Sequence, residues 1–104
     1  MINAVEVERD ENGFWTHPHF PNLGELWKPY KDWAEENNIK FANVWFECDA
    51  SEELEERFYE KEDGSAITEW QPTKPADNAF LLSIHDTEDG PVAIWALPTT
   101  QTVN

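Results

Sequence analysis

The spacing of apolar and polar positions changes several times along this chain, and each change marks an element. Residues 4–9 (Ala-Val-Glu-Val-Glu-Arg) alternate apolar and charged side chains, which predicts a half-exposed strand. Asn12-Gly13 is a turn signal, so residues 14–16 are expected to return as the second arm of a hairpin. The prolines of His17-Pro18-His19-Phe20-Pro21-Asn22 exclude regular structure and predict a loop. Leu23, Leu26, Trp27, Tyr30, Trp33 and Ala34 then recur at helical spacing. Proline is tolerated in a first turn and damaging later, so Pro29 places the secure helix over 29–37, preceded by a separate turn from Leu23. Asn37-Asn38 suits a left-handed cap. Residues 40–48 are rich in β-formers with apolar side chains on both faces, which predicts a strand near the middle of a sheet.

Asp49 or Ser51 can cap a second helix over 51–62, with Leu54 and Phe58 as its narrow buried seam and Tyr59 beside them. Asp63-Gly64 ends it, residues 67–70 form a short element of open type, and residues 71–75 read as a loop. Residues 79–85 and 92–97 read as strands joined by the turn-rich stretch 86–91. The order β-β-α-β-α-β-β predicts an α+β fold: a single, mostly antiparallel sheet with two helices on one face. One domain is expected over 1–98, with a flexible tail at 99–104. The expected core is Leu26, Trp27, Tyr30, Trp33, Val44, Trp45, Phe46, Leu54, Phe58, Phe80, Leu82, Ile84, Ile94 and Trp95.

Composition narrows the function classes. The 104 residues include 22 acidic and 7 basic ones, for a formal net charge of −15. High charge alone favours disorder, but 13% aromatic residues favour a compact core. Phosphate backbones repel so acidic a chain, so direct nucleic-acid binding is not expected. No apolar run reaches membrane-spanning length, and the first residues show no basic-then-apolar export signal. Cys48 is the single cysteine and cannot form an internal disulfide, which fits a reducing cytoplasm.

The segment Phe80-Leu81-Leu82-Ser83-Ile84-His85-Asp86-Thr87-Glu88-Asp89-Gly90-Pro91-Val92 resembles a recurrent ending in small early-region proteins of lambdoid phages and enterobacterial prophages. Glu69-Trp70-Gln71-Pro72-Thr73-Lys74-Pro75 is similar to the Trp-x-Pro-x-x-Pro stretch of that group. Asn3-Ala4-Val5-Glu6-Val7 and Gly13-Phe14-Trp15-Thr16-His17-Pro18 are similar to its opening. The resemblance implies mobile-element origin and action inside a bacterial cell. It carries no catalytic signature, so no site residue follows from it. Where the group is basic after its last Trp, this chain continues from Trp95 with Ala96-Leu97-Pro98.

Candidate chemistry falls into three groups. His17-x-His19, with His85, Asp86 and Glu88, offers nitrogen and oxygen donors for a metal-dependent or hydrolytic enzyme. The spacing matches no zinc pattern, and the plain alternative is a rigid loop whose histidines bond backbone or water. Ser83 and His85 share one strand face, but no nucleophile elbow surrounds Ser83. Asp86-Thr87-Glu88-Asp89-Gly90 does not match a calcium loop and reads as a turn. The strongest feature is acidic: residues 47–63 hold nine acidic and two basic residues, a local balance of −7. Asp49, Glu52, Glu53, Glu55, Glu56, Glu60, Glu62 and Asp63 are the candidate face for a basic host or phage protein, imitating nucleic-acid phosphates. A solvated face that keeps the chain soluble is the plain alternative. The leading expectation is a non-enzymatic accessory protein with no cofactor and no membrane partner, a monomer or weak homodimer. A self-associating module with exposed aromatics is a further alternative.

Overall fold

The computed structural model describes residues 2–99. It is α+β, with one four-stranded antiparallel sheet and helices. The elements are β1 (Trp15–Thr16), α1 (Trp27–Glu36), β2 (Ile39–Trp45), α2 (Phe46–Asp49), α3 (Glu52–Tyr59), α4 (Ala66–Glu69), β3 (Phe80–Thr87) and β4 (Gly90–Pro98). The strand order is β1-β3-β4-β2. The C-terminal hairpin, expected from the sequence, is therefore the centre of the sheet. Among the described residues no helix is long and apolar enough to cross a membrane.

Three features depart from the expected architecture. Residues 4–9 form no strand. The short return strand β1 pairs instead with β3, with Trp15 opposite Ile84. The turn between them does form: Gly13 N–H donates to Asp10 O at 2.9 Å, and the Asp10 carboxylate accepts from the N–H groups of Asn12 and Phe14. Gly13 has φ +84°, and a Cβ there would lie 3.0 Å from the Thr68 backbone, so only glycine fits both the turn and the close approach. Arg9 then anchors the segment, donating to the carbonyls of Gly13, Ile67 and Trp70 at 2.6–2.9 Å. An alternating sequence is held here by one guanidinium rather than by a ladder.

The second departure is β2, which lies at the edge of the sheet and ends three residues early, where α2 begins. Apolar side chains on both faces had pointed to a central strand. They are explained by helices on both sides of the sheet, which is the third departure from the expected single helical layer. Ile39 and Phe41 pack with Trp33 and Ala34 of α1, together with Ile2, Phe20, Phe80, Leu82, Ile94 and Ala96. Ala42 and Val44 face the other way, toward Phe46, Leu54, Phe58, Ala66, Trp70, Ala93 and Trp95.

Local signals explain the helices. Pro29 is the third residue of α1, inside the first turn, so the helix begins two residues before the proline. Asn38 takes the expected left-handed conformation, φ 55°. Ser51 caps α3 by accepting from Leu54 N–H. The expected core holds at Phe46, Leu54, Leu82, Ile84 and Trp95, all buried. It fails at Leu26 and Trp27, which are 74% and 60% exposed, because they sit at the open start of α1. Tyr30, Trp33, Val44, Trp45, Phe58, Phe80 and Ile94 are half-buried. Trp70, from the element of open type, is 1% exposed and is among the largest buried side chains. Thr99 N–H donates to Asn38 O at 2.7 Å; the remainder of the expected tail lies outside the described residues.

Candidate functional site

The acidic residues separate into two groups. Asp49 and Asp63 are built into the fold. Asp49 Oδ2 accepts from the indole Nε1 of buried Trp70 and from Thr73 N–H, both at 2.9 Å. Burial would raise the Asp49 pKa, but the hydrogen bonds from Thr73 and Trp70 outweigh it and hold the carboxyl below its usual range. Asp63 accepts from Ser65 and from Arg57, and these bonds lower its pKa, Ser65 first. Arg57 also reaches Glu69 at 2.7 Å, so its guanidinium ties the end of α3 to α4. Glu62, exposed, takes a left-handed backbone with φ 51° where the chain leaves α3.

The other group faces solvent. Leu54 and Phe58 turn α3 toward the core, which leaves Glu52, Glu53, Glu56 and Glu60 exposed and Glu55 half-exposed. Glu52, Glu55, Glu56 and Glu60 line a shallow dish of about 440 Å³ together with Tyr59. Lys61 approaches Glu56 at 3.7 Å, the one ion pair recorded for these four carboxylates among the described residues. Tyr59 is 46% exposed. Partial burial raises its pKa, and the charges of Glu47, Glu55 and Asp86 raise it further. The negative field at the Tyr59 oxygen thus comes from α2, α3 and β3 together. The sequence showed the helix but not the contributions of Glu47 and Asp86, which sheet topology brings to it.

The histidines do not meet as one centre. His17 is 1% exposed; its Nε2 lies 2.7 Å from Asn3 O, and its Nδ1 accepts from His19 N–H at 3.0 Å. Both ring nitrogens are engaged by backbone, while His19 packs beside it with ring centroids 5.6 Å apart. His85 Nδ1 lies 2.9 Å from Ser83 Oγ on the shared strand face. Burial lowers the His85 pKa, against a smaller opposing effect of Asp86. Asp86 is the next residue along the strand and points to the opposite face, so it cannot orient the His85 ring as a triad carboxylate would. Ser83 is 3% exposed. Among the described residues no three His, Cys, Asp or Glu side chains converge as a metal site.

A second concavity was not legible in the sequence. Phe20, Trp27, Tyr30 and Phe41 wall a cleft of about 410 Å³ whose floor is Asn43, His85 and Ile94. Ring centroids link its walls, with Phe20–Tyr30 at 6.0 Å, Phe20–Phe41 at 6.1 Å and Trp27–Phe41 at 5.6 Å. It lies on the sheet face that α1 covers only in part.

No protein-family model, curated protein or solved structure matches this chain.

Proposed function

We propose that this chain is a small, non-enzymatic accessory protein of phage or prophage origin that acts in the bacterial cytoplasm by binding a basic host or phage protein. The observation that supports this reading is the α3 dish, which Glu52, Glu55, Glu56 and the C-cap Glu60 line together with the exposed Tyr59. An exposed tyrosine inside a like-charged field offers contact area and a hydroxyl to a cationic partner. The carboxylates supply steering, because long-range charge accelerates encounter. The same spacing of negative charge along a helix suits a basic groove that otherwise holds nucleic-acid phosphates.

The engagement of both His17 nitrogens and the outward turn of Asp86 weigh against the alternative of an enzyme built on His17, His19, His85 and Asp86. The test is kinetic. A partner captured from phage-infected or lysogenic cells is titrated with the wild type and with a Glu55→Gln, Glu56→Gln, Glu60→Gln variant across ionic strength. The variant is expected to associate more slowly, with a flatter salt dependence. Equal rates and equal slopes would remove α3 from the interface. Competition by duplex DNA for the same partner would mark nucleic-acid mimicry; its absence would leave an acidic protein-binding face.

A further inference from the structure

The two edges of the sheet are unlike. The β1 edge is two residues long, a short edge that resists further pairing. The β2 edge runs seven residues and is paired to β4 in unbroken register from Ile39–Pro98 to Trp45–Val92. It contains no proline, glycine or bulge, and Lys40 is its one charged residue. Among the described residues, no backbone or side-chain hydrogen bond outside the sheet reaches the backbone of residues 39–44. An antiparallel strand turns half of its backbone groups outward, so this row is open for pairing.

Charge identifies the occupant. In a chain with 22 acidic residues, none occurs between Glu36 and Glu47. A second copy carrying −15 can approach closely only where neither surface is acidic. We propose that the outer edge of β2 is a self-association surface on which a second copy of this chain pairs its own β2 antiparallel. Full overlap of the seven residues centres the two-fold axis on Ala42. Lys40 then faces the partner's Val44, Phe41 faces the partner's Asn43, and Ile39 faces the partner's Trp45. No carboxylate meets a carboxylate within the paired strands. Beside the edge, Trp27, Lys31, Ala34, Glu35, Ile39, Lys40 and Phe41 line a trough of about 310 Å³. By strand alternation Trp45 shares the face of Ile39 and Phe41, so the partner's half-buried Trp45 is delivered to this trough and covers apolar surface that α1 leaves open.

The proposal differs from basic-partner binding in the sign of its salt response. Screening weakens attraction to a basic partner but relieves repulsion between two copies. Sedimentation of the purified chain over a concentration series is expected to show a reversible dimer that strengthens with salt. Amide exchange in residues 39–44 is expected to slow as concentration rises. Lys40→Glu with Asn43→Glu changes two exposed side chains and is expected to weaken the dimer at least about tenfold without altering the circular dichroism spectrum. A chain that stays monomeric at the highest concentration in high salt would overturn the proposal. So would a dimer whose formation leaves exchange in 39–44 unchanged, which would place the contact elsewhere whatever the variant does. Neither result bears on the α3 dish.

Discussion

Asp49→Ala separates a structural carboxylate from the acidic face around it. In the wild type, Asp49 accepts from Trp70 Nε1, and Trp70 is 1% exposed. Removing the carboxylate leaves that indole N–H buried with no acceptor, at a cost of roughly 1–3 kcal/mol. The bond to Thr73 N–H is also lost, but Thr73 is exposed and water replaces the acceptor, which adds at most about 1 kcal/mol. The expected loss is therefore about 1–4 kcal/mol, a large share of the roughly 5–15 kcal/mol that holds a domain of this size. Urea unfolding followed by tryptophan fluorescence measures it, provided the slope is unchanged.

The control is Trp70→Phe, which removes the N–H and keeps an aromatic ring. In that background Asp49→Ala is expected to cost only the Thr73 share, and the difference between the two backgrounds is the coupling. The sign with pH follows from the lowered Asp49 pKa: its contribution is present above the ordinary value of 3.8 and is lost as pH falls through the folded value. The gap between wild type and Asp49→Ala should accordingly narrow on the acid limb below that value. An equal cost of Asp49→Ala with Trp70 or Phe at position 70 would refute the assignment. It would return Asp49 to the surface charges, where its substitution should slow partner association instead.

Phe46→Ala is expected to cost about 3–5 kcal/mol in urea unfolding, because Phe46 is fully buried, whereas Trp27→Ala at a 60% exposed position should cost under about 1 kcal/mol. Gly13→Ala combines an unfavourable φ with a backbone contact at 3.0 Å and should destabilise by roughly 1–3 kcal/mol, read by the same assay. His85 should titrate below the free imidazole value of 6.5 in a proton NMR series, because burial disfavours its charged form; its effect on stability is therefore present above 6.5 and is lost as pH falls through the folded value.

Hydrophobic spacing was enough for the elements that bury one continuous face. The seam of α3 at Leu54 and Phe58 and the hairpin of β3 and β4 follow from it directly, while the cap, open between Asp49 and Ser51 in the sequence, is made by Ser51. It was not enough where a single polar contact replaces a repeating one. Residues 4–9 have the alternation of a strand, but they lie where the Arg9 guanidinium can reach three carbonyls, and the ladder that alternation serves is made by β1 and β3 instead. Position within the sheet was also hidden, since two apolar faces tell that both sides of a strand are covered and not that it has two neighbours. Leu26 and Trp27 fit the helical period equally well, yet they stand at the open start of α1 and are left largely exposed. The cleft under Phe20, Trp27, Tyr30 and Phe41 depends on elements separated in sequence, and no local pattern announces it.

Charge placement links the two proposed surfaces. The acid-free stretch ends at Phe46, and the acidic stretch opens with the next residue, Glu47, inside α2. The boundary coincides with the change from strand to helix, and Phe46, fully buried, fixes it in the core. A strand edge is a hazard that acidic side chains along β2 would have suppressed, and this chain has carboxylates in abundance. They are instead gathered on α3, where the like-charge neighbours at three and four residues cost a few tenths of a kcal/mol each. Solubility alone favours spreading charge across the surface and protecting the edge first. A chain that leaves its β2 edge free of carboxylates while crowding glutamates onto the next long helix accepts an open edge at one place and like-charge repulsion at the other. We propose two separate contacts, one with itself and one with a basic partner, as the reason for both.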